Sequence, residues 1–169
     1  MHALVAFFDD EADKKVRDLW RQVGTEHEYP PHLTYAIAST IGPKVRKELR
    51  TDLERLWMPD LWLHTLSTFS TVENVLMLAA VVDAELLAVH SAIHDVLASN
   101  VKNPSAYYLP GSWVPHCTLV HGIDDEAMKA AFAKIFPVEP IRAKVREVSV
   151  VDTQTGEIDV LKKASTAPR

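Results

Sequence analysis

The sequence predicts an α+β fold of two lobes related by an approximate two-fold. Largely antiparallel sheets are flanked by helices, and each lobe contributes one motif strand that faces a central cleft. Three observations predict this. The tetrad Pro31-His32-Leu33-Thr34 returns 84 residues later, half the chain away, as Pro115-His116-Cys117-Thr118. Apolar patterns of helical and strand period interleave along the chain. Two pairs of strand patterns are joined by short turns, a connection that antiparallel neighbours allow and parallel ones do not.

Residues 3–8 read as a strand. A helix is expected over 11–23, with Val16, Leu19, Trp20 and Val23 on one stripe behind the capping candidate Asp10. The first motif strand occupies 32–39. Pro43 opens a helix over 43–57 whose stripe is Val45, Leu49, Leu53 and Leu56. Strands at 61–69 and 74–82 flank a turn at 70–73. A third helix, 84–98, starts behind Asp83 and turns Leu86, Val89, Ile93 and Leu97 inward. After a loop at 100–114 comes the second motif strand, 116–121, then a helix over 125–136 stopped by Pro137. Strands at 141–151 and 157–161 enclose a turn at Thr155-Gly156, with a change of phase near Glu147–Val148 that suggests a bulge.

No Gly- or Ser-rich linker separates the halves, so residues 1–161 are read as a single bilobal domain and 162–169 as a flexible tail. The length of 169 residues, with 47% apolar and 24% charged residues, suits one well-buried domain. Cys117 is the only cysteine, which excludes an internal disulfide and a thiolate zinc cluster. No segment approaches the roughly 20 apolar residues of a membrane span. The opening apolar run is short and has acid behind it, as a first strand does and a secretory signal does not, so a cytoplasmic protein is expected; a monomer is expected as well. A net charge of −5 disfavours a grip on long duplex nucleic acid and leaves a small nucleotide or an RNA 3′-end as partner.

The repeated tetrad carries the chemistry. Side chains alternate along a strand, so His32 and Thr34 share one face, and His116 and Thr118 share another. By the same alternation Leu33, Tyr35 and Ile37 point into apolar packing, and His121 falls on the side of Cys117 and Leu119. Two imidazoles that meet across a cleft suit in-line displacement at phosphorus. One takes a proton from the attacking oxygen while the other gives one to the leaving oxygen. Thr34 and Thr118 can donate to the non-bridging oxygens as charge builds there.

Paired H-x-T motifs, one per lobe, resemble the 2H phosphoesterase superfamily, which includes the LigT-like 2′-5′ RNA ligase and cyclic phosphodiesterase group. The resemblance covers essentially the whole chain. It implies a bilobal α+β fold with a central cleft, no metal and no other cofactor. Members mostly open 2′,3′-cyclic phosphates, and others act on ADP-ribose 1″,2″-cyclic phosphate or on 2′-5′ linked RNA. By the resemblance His32 and His116 are catalytic, and Thr34 and Thr118 bind phosphate. The chain departs from the family at His121, where LigT-like members often carry Arg in H-x-T-L-x-R, and at Tyr35 and Ile37 after the first motif.

Tyr107, Tyr108 and Trp113, in the loop before the second motif, and Tyr35 beside the first, are candidates for stacking on a base, with Tyr29 a further one. His90 and His94 are spaced for a shared metal but have no third ligand and no H-E-x-x-H pattern, so a place beside the buried stripe is expected. Arg142, Lys144 and Arg146, and the helix residues Lys44, Arg46, Lys47, Arg50 and Arg55, read as solvated faces. The leading function is metal-independent hydrolysis of a 2′,3′-cyclic phosphate or related 2′-linked phosphodiester. The alternatives are cleavage of 2′-5′ linked or cyclic oligonucleotides, 2′-5′ ligation, or non-catalytic binding of a nucleotide or RNA end.

Overall fold

The computed structural model describes residues 1–69 and 73–164. Their order is β1 (His2–Phe8), α1 (Asp10–Val23), β2 (His32–Ala38), α2 (Pro43–Arg55), β3 (Leu61–Thr68), β4 (Val75–Ala80), α3 (Ala84–Ala98), β5 (His116–His121), α4 (Asp125–Ile135), β6 (Ile141–Ala143), β7 (Val145–Asp152) and β8 (Ile158–Lys163). The helices lie where the apolar stripes place them: Val16, Leu19 and Trp20 of α1, Val45, Leu49 and Leu53 of α2, and Leu86, Val89, Ile93 and Leu97 of α3 are all buried. Asp83 caps α3 by accepting from the Leu86 N–H at 2.8 Å. α1 is capped one residue earlier than expected, at Asp9, whose carboxylate accepts from the Lys144 N–H instead of from its own helix.

The strands form two four-stranded sheets, ordered β2-β1-β7-β8 and β5-β4-β3-β6, and every pairing is antiparallel. The lobes are therefore not the two halves of the chain. One sheet takes the first two and last two strands, and the middle of the chain makes the other. The motif strands β2 and β5 are the edge strands that face each other. The helices are exchanged between the sheets. α1 joins β1 to β2 yet packs on β5, β6 and α4 of the other lobe, and α3 joins β4 to β5 yet packs on β2 and α2.

Two strand boundaries differ from expectation. The strand read at 141–151 breaks at Lys144, so that β6 completes one sheet and β7 enters the other. The bulge inferred near Glu147 is present as a register shift, Phe7 pairing with Glu147 but Phe8 with Val145. The last strand continues through Lys162 and Lys163, two residues assigned to the tail. Lys162 Nζ donates to the Leu53 and Leu56 carbonyls at 2.5 and 2.6 Å, binding the C-terminal end of α2 to the sheet. The rest of the tail from 165, and most of the turn at 70–73, lie outside the described residues.

One apolar cluster fills the space between the helices and the two sheets. A second, smaller one is the opposite face of the first sheet, with Ala3, Val5, Phe7 and Val151 buried and Tyr29 and Ile37 against them. His90 and His94 are buried on α3 with rings 4.3 Å apart. His90 lies flat on Trp113 at 3.9 Å, and burial, followed by the neighbouring His94, pushes its pKa down to about 4. An unfolded histidine takes up its proton near pH ~6.5, so this neutral imidazole contributes stability that is complete above that pH and is lost as the pH falls toward about 4. Urea midpoints of the protein are expected to fall between pH ~7 and ~5, with a shallower fall in His90→Gln; equal slopes would contradict this.

Candidate active site

The two motif strands are built alike. In β1–β2 pairing, Leu4 faces Ala36 and Val5 faces Thr34, which leaves Tyr35 without a partner. In β4–β5 pairing, Leu76 faces Val120 and Met77 faces Thr118, which leaves Leu119 without one. Each strand thus carries a β-bulge at the residue directly after its threonine. A bulge shifts the side-chain phase by one residue and re-aims the side chains beyond it. Tyr35 and Ala36 are both buried, as are Leu119 and Val120, and the next residues, Ile37 and His121, swing to the face of the His-x-Thr pairs. The inward orientation expected for Ile37 and His121 from strict alternation is therefore corrected.

Hydrogen bonds to an edge strand normally go to water. Here each bulge is held by side chains from the crossover of the other sheet. Trp113 Nε1–H donates to the Thr34 carbonyl at 2.9 Å, and His94 Nε2 to the Tyr35 carbonyl at 3.1 Å. In the other lobe Trp20 Nε1–H donates to the Thr118 carbonyl at 3.1 Å, and His27 Nε2 to the Leu119 carbonyl at 2.9 Å. Thr25 Oγ1 shares that last carbonyl at 3.1 Å. The pairing of indole and imidazole donors repeats the chain's duplication although the donors occupy different elements.

The motif imidazoles are matched as well. His32 Nδ1–H donates to the Pro30 carbonyl and His116 Nδ1–H to the Val114 carbonyl, both at 2.7 Å. Each ring is thereby fixed as the Nδ1–H tautomer when neutral, with Nε2 left for chemistry. A phenyl ring meets each edge-on, Phe7 at 5.9 Å from His32 and Phe69 at 5.4 Å from His116. Burial draws both imidazoles below the usual histidine range, and the carbonyl bonds offset part of this. At His32 the neighbouring His27 and His116 push in the same direction.

His32, Thr34, His116 and Thr118 line one cleft of about 230 Å3, whose remaining wall is the small apolar cluster with Tyr29, Tyr108 and Thr153. His116, Thr118 and Tyr108 also border a larger compartment of about 700 Å3 on the second lobe, with Phe69, Tyr107, Asn74 and His121 around it. The second motif therefore stands where two compartments meet. A family model described as the 2′-5′ RNA ligase superfamily matches residues 8–157.

The chain belongs to the 2′-5′ RNA ligase superfamily. Members of this superfamily, a group of 2H phosphoesterases, are generally catalytic. Comparison with curated proteins found no significant match.

In this 2′-5′ RNA ligase superfamily member, Tyr107 and Tyr108 border the larger compartment, and Tyr107 is 78% exposed. Two of the stacking candidates are corrected. Tyr35 is fully buried in the core, and Trp113 lines neither compartment, with its N–H on Thr34 and one face on His90. His90 and His94 each direct Nε2 at a backbone carbonyl, of Tyr108 and Tyr35, in a structural role. Among the described residues no group of three His, Cys, Asp or Glu side chains is placed to hold a metal. Cys117 is buried, with its thiol pushed up to about 12. Arg142 pairs with Asp60, and Arg46 and Arg50 with Asp159, so these basic side chains face away from the cleft chemistry.

Trp20, His27 and His94 were missed as determinants of the site. Trp20 and His94 sit on apolar helix stripes, and their bonds span 98 and 59 residues, beyond any local pattern. The two clamps differ in burial, His94 being buried and His27 half-buried. His94→Leu is expected to destabilise the protein by about 1–3 kcal/mol, because a bond to the Tyr35 carbonyl is lost at a buried position. His27→Leu should cost about 1 kcal/mol or less, because Thr25 still serves Leu119. Urea denaturation of both variants measures the order, and a reversed order would contradict the assignment.

Proposed function

We propose that this protein is a metal-independent phosphodiesterase that opens the 2′,3′-cyclic phosphate, or a related 2′-linked phosphodiester, of a small nucleotide or RNA 3′-end. The reading is carried by one observation: both imidazoles, each with Nδ1 tied to a carbonyl and a threonine beside it, line the same cleft. In the proposed reaction the phosphate sits between the motifs. Nε2 of one neutral histidine takes a proton from water as its oxygen attacks phosphorus. Nε2–H of the other, protonated, histidine delivers a proton to the departing ribose oxygen as the P–O bond breaks. Water is consumed, the ring opens to a phosphomonoester, and the pair is left with its proton moved from one imidazole to the other. The Thr34 and Thr118 hydroxyls donate to the non-bridging oxygens, where charge accumulates in the transition state.

The meeting of two compartments at His116 and Thr118 favours a second reading, cleavage of a 2′-5′ phosphodiester with a nucleoside on either side. Product chromatography on 2′,3′-cyclic nucleotides and 2′-5′ dinucleotides separates the two. Turnover of neither, with product still bound, would leave only a binding module.

His32→Ala and His116→Ala are each expected to lower kcat by ~10²–10⁴, with wild-type turnover unchanged in excess EDTA. Undiminished activity in either variant would remove the acid–base assignment. Because burial lowers both imidazoles in the free protein, the bell-shaped pH profile of kcat/KM should centre below pH ~6.5. Activity falls on the alkaline side as the acid imidazole loses its proton and on the acid side as the base gains one. A maximum clearly above neutrality would contradict this.

A further inference from the structure

The walls of the two compartments are poor in positive charge. Among the described residues neither is lined by a lysine or an arginine. Beyond the motif histidines, the ionisable side chains facing the larger compartment are Glu73 and His121, with the phenols of Tyr107 and Tyr108. Asn74 adds no donor to offset this. Its Nδ2 gives one hydrogen to the Ile123 carbonyl and one to Asp125, each at 2.9 Å, so only its side-chain oxygen, an acceptor, remains. The smaller compartment is walled by Val5, Phe7, Ile37 and Val151. The cations that could have served are placed elsewhere: Arg46 and Arg50 on Asp159, and Lys162 on the end of α2.

These walls set a charge balance. The working pair of imidazoles holds one proton and so one positive charge, and a phosphodiester carries one negative charge. A further phosphomonoester would bring about −1.5 to −2 into walls that set the Glu73 carboxylate and Asn74 Oδ1 beside the hydroxyls of Ser112, Tyr107 and Tyr108 and the His121 imidazole. Its lost hydration would be offset only by hydroxyl donors and the His121 imidazole, with no lysine or arginine beside it. An uncharged nucleoside, in contrast, brings hydroxyl and amine donors that suit those acceptors and an apolar body that suits the walls.

We infer that the cleft selects a phosphodiester bearing a single negative charge between uncharged groups and discriminates against substrates that carry an additional phosphate. The inference rests on the phosphodiesterase reading and narrows it to nucleosides without a 5′-phosphate. It also gives product release a driving force, since opening the ring creates a phosphomonoester whose second ionisation exceeds what the imidazole pair can match.

The test compares a nucleoside 2′,3′-cyclic phosphate with its 5′-phosphorylated counterpart, on the intact protein, by turnover and by calorimetric binding. The 5′-phosphorylated compound is expected to show about a tenfold lower kcat/KM, with the difference in KM and a matching loss in binding. Glu73→Lys should narrow that gap. Equal or better binding of the 5′-phosphorylated compound, or a gap that Glu73→Lys leaves unchanged, would overturn the inference. Failure of both compounds to turn over, with the binding preference intact, would instead overturn the phosphodiesterase reading and leave the charge selectivity standing.

Discussion

The structure depends on the way two bulged edge strands are held from across the molecule. An edge strand leaves half of its backbone polar groups without strand partners, and a bulge frees one residue more. At Thr34 and Tyr35 the carbonyls are taken by Trp113 and His94, and at Thr118 and Leu119 by Trp20 and His27. Each donor pair belongs to the crossover of the opposite sheet. Neither motif strand is shaped by its own lobe alone, so the relative placement of the imidazoles is set by contacts that already tie the lobes together.

The same bonds explain why the site residues are firm in direction yet open to a ligand. The bulges turn the backbone after each threonine, and the preceding carbonyls of Pro30 and Val114 fix the imidazole rings. One ring nitrogen and one hydroxyl remain uncommitted on each motif. Low imidazole basicity has the same origin, since the enclosure that orients the rings also removes the water that would stabilise their charge.

Local pattern made the element order, the helix faces and the repeated tetrad legible, because all three are written in spacings of two to four residues. His32, Thr34, His116 and Thr118 were identifiable for that reason. The exchange of α1 and α3 between sheets was not, since an apolar stripe says that a helix is covered but not by which sheet. Strict alternation also failed past the bulges. It turned His121 and Ile37 inward, whereas the unpaired Leu119 and Tyr35 bring them to the cleft face. Trp113 shows the converse limit: an aromatic residue in a loop beside a motif suggests a base platform, but its indole serves the backbone of the other lobe. The break at Lys144 leaves no mark in the sequence because the apolar alternation runs on through it from one sheet to the next.

The crossed placement of α1 and α3 bears on how such a molecule can come apart. Cut between β3 and β4, the N-terminal piece would keep the stripe of Val16, Leu19 and Trp20 but lose β5 and β6, the surface that covers it. The C-terminal piece would likewise strand α3 without β2. A fragment of either kind could cover its stripe only by borrowing the missing sheet from a sister molecule, as domain-swapped protomers do.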